Sequence, residues 1–451
     1  VLLAVSFLTA IAVGTQALRL PLATHGDRLS WTDAAFTATS AVCVTGLTVT
    51  STCHGFTLLG QMVILALIQF GGIGFVTLST VLLLQLRGRA TLADHSYLCE
   101  YLGGDGAADP RSILRRVVPY TLAIEGLGAA VLALRFLFEP APGAPWFQRV
   151  GQALWGGIFH SISAFCNAGF ALWDDSLVRF ALDPLVAGTV MALIVAGGLG
   201  FVVLVELRSA WCERRAGRSW RLRYQTRLVL LGTVGLVFGG ALLLALIERG
   251  NPETGAKCGW WEAAWLWLFQ SVTCRTAGFN TVDLNAMAPA SLMVMMGLMS
   301  VGAAPGGTGG GVKVTTLWVL LAQFLWVLAP RHEPALGGRS FSRATVRNAT
   351  AVALSALALG ALATALLLVF EGTAPRHSLP GLFLNIVFEV VSALGTVGLS
   401  LGLTPALSTP GKWVLMALMF IGRIGPLGIL AAALRQTDYP VQYPEETLTI
   451  G

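Results

Sequence analysis

Four stretches of this chain hold the residues best suited to handling an ion. They are Val44-Thr45-Gly46-Leu47, Asn167-Ala168-Gly169-Phe170, Thr276-Ala277-Gly278-Phe279 and Thr396-Val397-Gly398-Leu399. Each sets two small or β-branched residues before a glycine and a bulky apolar residue after it. The glycines stand 123, 109 and 120 residues apart, so the pattern is an internal repeat. No side chain in the set ionises, which leaves the chemistry to the backbone. Glycine adopts conformations that other residues avoid. Successive carbonyl oxygens can then face one axis, and a ring of such oxygens can replace the hydration shell of a cation.

The elements that must position these turns are legible on either side of them. Each turn follows a short amphipathic run and precedes a long apolar one. Ser30-Trp31-Thr32-Asp33 has the form of an N-cap with early acidic charge, a helix start. The helix it opens reaches only Val42, roughly 18 Å against a hydrocarbon core of roughly 30 Å. Such a helix dips into a bilayer, and the glycine turn is its return. Residues 1–86 thus form one unit: a span at 1–20, a half-helix, the turn and a span at 56–86. The unit recurs at 117–207, with spans at 117–138 and 184–207 around a half-helix at 150–165. It recurs at 228–328, with a span at 228–247, a half-helix at 261–273 and an apolar run at 290–328. The fourth copy, 349–435, has spans at 349–370 and 412–434 around a half-helix at 382–394. Residues 436–451 form a polar tail with Pro440 and Pro444.

Composition agrees with a bilayer setting. The chain is 55% hydrophobic and 12% charged, with mean hydropathy +0.73. A soluble domain carries about 25% charged residues. Irregular backbone at membrane depth is tolerated only where protein encloses it or where it lines a water-filled path. Four such turns in equivalent positions therefore point to one ring. The expected fold class is an all-α polytopic membrane protein, with four span–half-helix–filter loop–span repeats around a pseudo-fourfold central pore. The half-helices would point partially negative C-terminal ends at the axis, which favours a cation. Thr396-Val397-Gly398 also repeats the first letters of the TVGYG loops of potassium channels.

Arginines cluster at 87–116, 208–227 and 331–347, and the loops between hold few. The positive-inside rule makes those loops, and both termini, cytoplasmic. The formal charge of +6 is thereby a topology signal, not a nucleic-acid surface. Seven cysteines show no CxxC or metal-ligand spacing. Cys43, Cys166 and Cys274 sit just before repeat glycines, as small fillers of a crowded turn. An intramembrane enzyme would need a nucleophile–base pair or a metal cluster. None of the six histidines forms HExxH, and His160 stands alone in a half-helix.

The third repeat holds a second feature. The run 290–328 is too long for one span, at roughly 58 Å as a straight helix. Its middle, residues 302–311, is Gly-Ala-Ala-Pro-Gly-Gly-Thr-Gly-Gly-Gly, which cannot hold a helix. A flexible flap that obstructs the ion path is expected there, with Gly302, Gly306, Gly307, Thr308, Gly309, Gly310 and Gly311 as gate residues. Lys313 borders it and is expected to cap carbonyls. The order Gly311-Val312-Lys313-Val314-Thr315 does not match a phosphate-binding loop. Arg423 lies within the last apolar run, where an unpaired charge costs about 2.5 kcal/mol or more. It can act as a barrier below the turns, anchor the flap, or pair with Glu125, Glu206 or Glu389. Arg275 is placed to brace the third turn through carbonyls.

TSAVCVTGLTV, SISAFCNAGFAL, SVTCRTAGFNTVDL, SALGTVGLSLGLTP and MFIGRIGPLGIL together resemble the Trk/Ktr/HKT superfamily of potassium transporters. The resemblance covers nearly the whole chain and is strongest to membrane subunits of the KtrB type. It implies potassium uptake across the bacterial plasma (inner) membrane, K+ being held by filter backbone carbonyls around Gly46, Gly169, Gly278 and Gly398. A serine in place of Gly46 favours sodium in the family, so glycine implies potassium preference. The resemblance further implies a homodimer in the lipid membrane on a cytoplasmic, KtrA-like octameric regulatory ring. ATP or ADP binds that partner, no organic cofactor is held by this chain, and Na+ stimulates uptake. The flap carries over as the gate, with Arg423 as the family's last-span arginine. This flap has more glycine than the Ser/Ala-rich family version. A TrkH-type or sodium-permeable HKT-like transporter is the alternative.

Overall fold

The computed structural model describes residues 2–26, 28–86, 110–139, 145–254, 259–329, 334–372 and 381–425. The polar tail at 436–451, the end of the last expected span and most of the first and part of the third arginine cluster lie outside these residues.

Among the described residues the regular structure is helical apart from a hairpin of two-residue strands, Ala335–Leu336 with Arg339–Ser340, and two isolated bridges. The first repeat comprises α1 (Leu2–Leu18), α2 (Trp31–Val42), the single turn α3 (Thr52–Gly55) and α4 (Leu58–Leu86). The second comprises α5 (Pro110–Leu137), α6 (Trp146–Phe165), α7 (Pro184–Leu199) and α8 (Phe201–Arg215). The third comprises α9 (Tyr224–Glu248), α10 (Trp260–Thr273), α11 (Pro289–Ser300) and α12 (Val314–Leu328). The fourth comprises α13 (Arg343–Glu371), α14 (Leu382–Gly395) and α15 (Thr409–Ile424).

Helix starts follow local chemistry. Ser30 accepts from the Asp33 amide at 3.0 Å and opens α2 as its sequence predicts. Asp183 accepts from the amides of Leu185 and Val186, and Pro184 sits where a missing N–H costs nothing. The repeats associate by one rule. The span after each turn packs on the half-helix of the next repeat: α4 on α6, α7 on α10, α11 on α14 and α15 on α2. The last contact closes the chain on itself, and Lys412 of α15 meets Asp33 of α2 at 2.7 Å there.

Burial is arranged for a bilayer. Leu127, Leu242, Leu357 and Val369 face outward and are more than 60% exposed. Ser40, Ser163, Gln270 and Ser392 are fully enclosed. Polar groups inside and apolar side chains outside are what a hydrocarbon solvent selects. Among the described residues, Val117–Leu137, Tyr224–Glu248 and Arg343–Glu371 are each long and apolar enough to cross.

Two elements depart from the sequence expectation. The span expected at 184–207 is broken: α7 and α8 meet at Gly200 with a 102° bend. Gly200 has φ +83°, which ends the helix where hydropathy alone runs on. The second half-helix starts at Trp146, not at 150, and is 20 residues long. Its exposed Trp146 and Phe147 carry it beyond the short dip expected.

Candidate functional site

The C-terminal ends of α2, α6, α10 and α14 converge, and each ends in the same unusual backbone. Val44, Asn167, Thr276 and Thr396 all lie in the left-handed region, with φ of 55°, 60°, 67° and 51°. In the first, second and fourth repeats the conformation closes a Schellman motif. In α2 the Val44 amide donates to Ala41 O and the Thr45 amide to Ser40 O. Asn167 with Ala168, and Thr396 with Val397, repeat the pattern. Glycine is the usual residue at such a cap, and a β-branched one there is strained. A β-branched residue takes this conformation in three of the four repeats, so the tertiary setting holds it.

The glycine two residues later has positive φ in every repeat: 99° at Gly46, 70° at Gly169, 81° at Gly278 and 92° at Gly398. A Cβ placed on Gly46 would stand 2.5 Å from Ala168 O. On Gly169 it would stand 2.7 Å from Ala277 O, and on Gly278 2.5 Å from Val397 O. On Gly398 it would press on Thr45 O. The contacts run 46 to 169 to 278 to 398 and back to 46, a closed ring. Each glycine faces the carbonyl that precedes the next glycine, with no space for a side chain.

Hydroxyls behind the ring hold it. Ser40 and Ser392 each accept from the amide of their repeat's glycine, at 3.0 and 3.1 Å. Ser163 donates to Phe170 O at 2.8 Å and Thr273 to Phe279 O at 2.7 Å. These four were not singled out by the sequence reading. Their regular offset, five or six residues before each glycine, was the available signal.

The segment Gly302–Gly311 lies against the third and fourth turns of the ring. Cβ atoms on Gly309 and Gly310 would strike Thr276 Oγ1 and Thr396 Oγ1. The glycines break the helix as expected, yet the segment is firmly held. On one side the Ala304 and Thr308 amides donate to Gly198 O and Gly197 O, at 2.9 and 3.1 Å. On the other the Gly310 amide donates to Thr396 Oγ1 at 3.0 Å. Gly200, at the α7–α8 bend, abuts Pro305 O, so both helix breaks meet in one place.

Three cations hold this segment. Arg423 donates from its two terminal nitrogens to Thr308 O and Gly71 O. Lys313 Nζ donates to Gly309 O at 2.8 Å, capping a carbonyl as expected. Arg275 Nη2 donates to Gly302 O at 3.0 Å. The expected role of Arg275 is thus corrected: the carbonyl it binds belongs to the flap and not to the third turn. A cavity of about 10 Å³ lined by Arg275, Gly198, Thr233 and Ala303 lies beside it, room for a single water.

The three carboxylates offered as partners of Arg423 are engaged with other groups. Glu125 accepts from Gln69 Nε2 at 2.9 Å. Glu206 accepts from Thr226 Oγ1 and the Arg223 amide, both at 2.5 Å. Glu389 accepts from Thr404 Oγ1 at 2.9 Å and from Ser400 Oγ. Cys43, Cys166 and Cys274 are buried at the helix ends, as small turn fillers should be.

Residues 6–439 match the family model of the TrkH cation transport proteins. The chain belongs to that family. This TrkH-family chain is 38% identical to the Ktr system potassium uptake protein B of Vibrio alginolyticus, over 99% of its own length and 93% of the relative's. It is 35% identical to the potassium/sodium uptake protein NtpJ of Enterococcus hirae, over 100% of this chain and 96% of that one. Its fold is similar to that of the potassium transporter TrkH from Vibrio parahaemolyticus, with TM-score 0.71 at 18% identity, covering 96% and 84% of the two chains. The relatives are named as transporters and not as enzymes.

Proposed function

We propose that this TrkH-family protein takes up potassium across the bacterial plasma membrane, through a pore whose filter is the glycine ring. The observation that carries the reading is ring closure: four positive-φ glycines, each against the carbonyl preceding the next. Carbonyls packed in that way offer a dehydrated cation oxygen in place of water. Val44, Thr45 and Gly46, Asn167 to Gly169, Thr276 to Gly278 and Thr396 to Gly398 supply the ring. The repeat units are 1–86, 117–207, 228–328 and 349–435.

The gate is Gly302 to Gly311 with Lys313, pinned by Arg423. Its position against Thr276 and Thr396 supports this reading, since any ion leaving the ring inward meets it. Opening must break the Arg423 bonds to Thr308 O and Gly71 O. A KtrA-like nucleotide-binding ring on the cytoplasmic face, with ATP and ADP as its ligands, supplies that work. The membrane subunit is a homodimer with both termini cytoplasmic, and Na+ stimulates uptake. The name of the Vibrio alginolyticus relative supports the Ktr assignment. The name of NtpJ favours keeping a sodium-permeable pore as the second reading.

Rubidium and sodium uptake into liposomes holding the purified chain, with and without the regulatory ring, is the test. Rubidium uptake in preference to sodium is expected, with flux rising when the ring is added. Equal uptake of both ions would favour the second reading, and no uptake of either would remove the pore.

A further inference from the structure

We infer that Glu389 and His160 are positioning residues that brace opposite corners of the glycine ring and so set its ion preference. The inference rests on reading the ring as the selecting element. Both residues stand nine positions before the glycine of their repeat, Gly398 and Gly169. The same position is Thr37 in the first repeat and Phe269 in the third. All four are buried on half-helices.

Only the second- and fourth-repeat residues reach across to the chain that leaves the turn. Glu389 accepts from Ser400 Oγ, two residues past Gly398, and from Thr404 Oγ1 at 2.9 Å. The amides of Leu403 and Thr404 also point at its carboxylate. One side chain thus collects two hydroxyl donors from a single loop, with two amides of that loop facing it. His160 Nε2 accepts the Leu172 amide at 3.2 Å, three residues past Gly169. Its Nδ1 faces Gly156 O at 2.8 Å, which assigns the proton to Nδ1 and leaves Nε2 as acceptor. The imidazole is stacked on Trp173 at 4.3 Å and edged by Phe136 and Phe159, so it has one orientation. By contrast, Thr37 donates to Asp33 O of its own helix and Phe269 has no polar atom.

The ring order 46, 169, 278, 398 sets Gly169 and Gly398 across the axis from each other. The two braced turns are therefore diagonal. A diagonal pair fixed to its helices holds one width of the ring constant, and that width decides which dehydrated ion the carbonyls reach.

The test measures rubidium and sodium uptake into proteoliposomes for Glu389→Ala, His160→Phe, the acceptor-keeping Glu389→Gln and His160→Gln, and Thr37→Val. The first two should both lower the rubidium-to-sodium ratio with flux persisting, Glu389→Ala by about tenfold, near what one hydrogen bond to a charged group is worth, and His160→Phe by several-fold, as for a bond between neutral groups. The glutamine variants should recover most of it, and Thr37→Val should leave it unchanged. Should Glu389→Ala fail to assemble, Ser400→Ala removes one donor without opening a cavity, and a several-fold fall is expected. Unchanged ratios in Glu389→Ala and His160→Phe, alongside a changed ratio in Gly46→Ser, would overturn the brace and leave the filter standing. An unchanged Gly46→Ser would remove both. Equal falls in every variant, Thr37→Val included, would mark a general loosening and also overturn it.

Discussion

A single added carbon shows what each ring residue is for. Gly46 combines φ +99° with a Cβ position 2.5 Å from Ala168 O, so a side chain there is both strained and in collision. Gly46→Ser must push the second turn aside and add a hydroxyl among the carbonyls. A wider, wetter ring no longer favours potassium. The rubidium-to-sodium uptake ratio should fall by about tenfold or more, equivalent to roughly 1.4 kcal/mol of preference. An unchanged ratio would mean that Gly46 does not line the path. The strained residues Val44, Asn167, Thr276 and Thr396 were in the sequence motif, but their strain was not legible. It follows from where each half-helix stops, through a Schellman closure at Val44, Asn167 and Thr396.

Among the elements, the two broken spans act together. The segment Gly302–Gly311 is tied to Gly197 and Gly198 of α7 and to Thr396 of the fourth turn. Deleting Gly306 to Gly310 removes the segment from beneath the ring, and ion flux into liposomes without the regulatory ring should rise several-fold; constant flux would count against a gate. Gly200→Ala addresses the other side of the contact. Its Cβ would lie 2.7 Å from Pro305 O at a φ that alanine avoids. The flap must shift, so basal flux should rise here too, and a basal flux equal to that of the parent would separate the bend from the gate. The break in the third repeat was plain in the sequence because glycine and proline crowd it. The break at Gly200 was not, although Gly197, Gly198 and Gly200 crowd four positions, because the run keeps its hydropathy and has no proline there; the 102° turn reveals it.

For the whole molecule, closure depends on the first and last repeats meeting. Lys412 and Asp33 do so across 379 residues of chain, at 2.7 Å and with both side chains largely sheltered. Lys412→Met should cost roughly 1 kcal/mol and lower the melting temperature of the detergent-solubilised protein slightly. The double variant with Asp33→Asn should cost less than the sum of the two. Additive losses would show that the pair does not join the repeats. No local pattern flags this pair. Each residue reads alone as a first-turn helix charge.

Sequence by itself determined the fourfold plan: hydropathy, helix length against bilayer thickness and four evenly spaced glycines require dips that return at a common depth. It also gave the candidate ring and flap residues, because only glycine tolerates such backbone. Tertiary structure decided how they work against one another. It fixed the cyclic order of the turns, gave Arg275 to the flap and Arg423 to two carbonyls, and turned a lone histidine and a candidate ion-pair glutamate into matched supports. The ring order and the Arg423 bonds join segments a hundred or more residues apart, and the Arg275, His160 and Glu389 bonds depend on how a loop folds back on its own helix; periodicity along one chain carries neither.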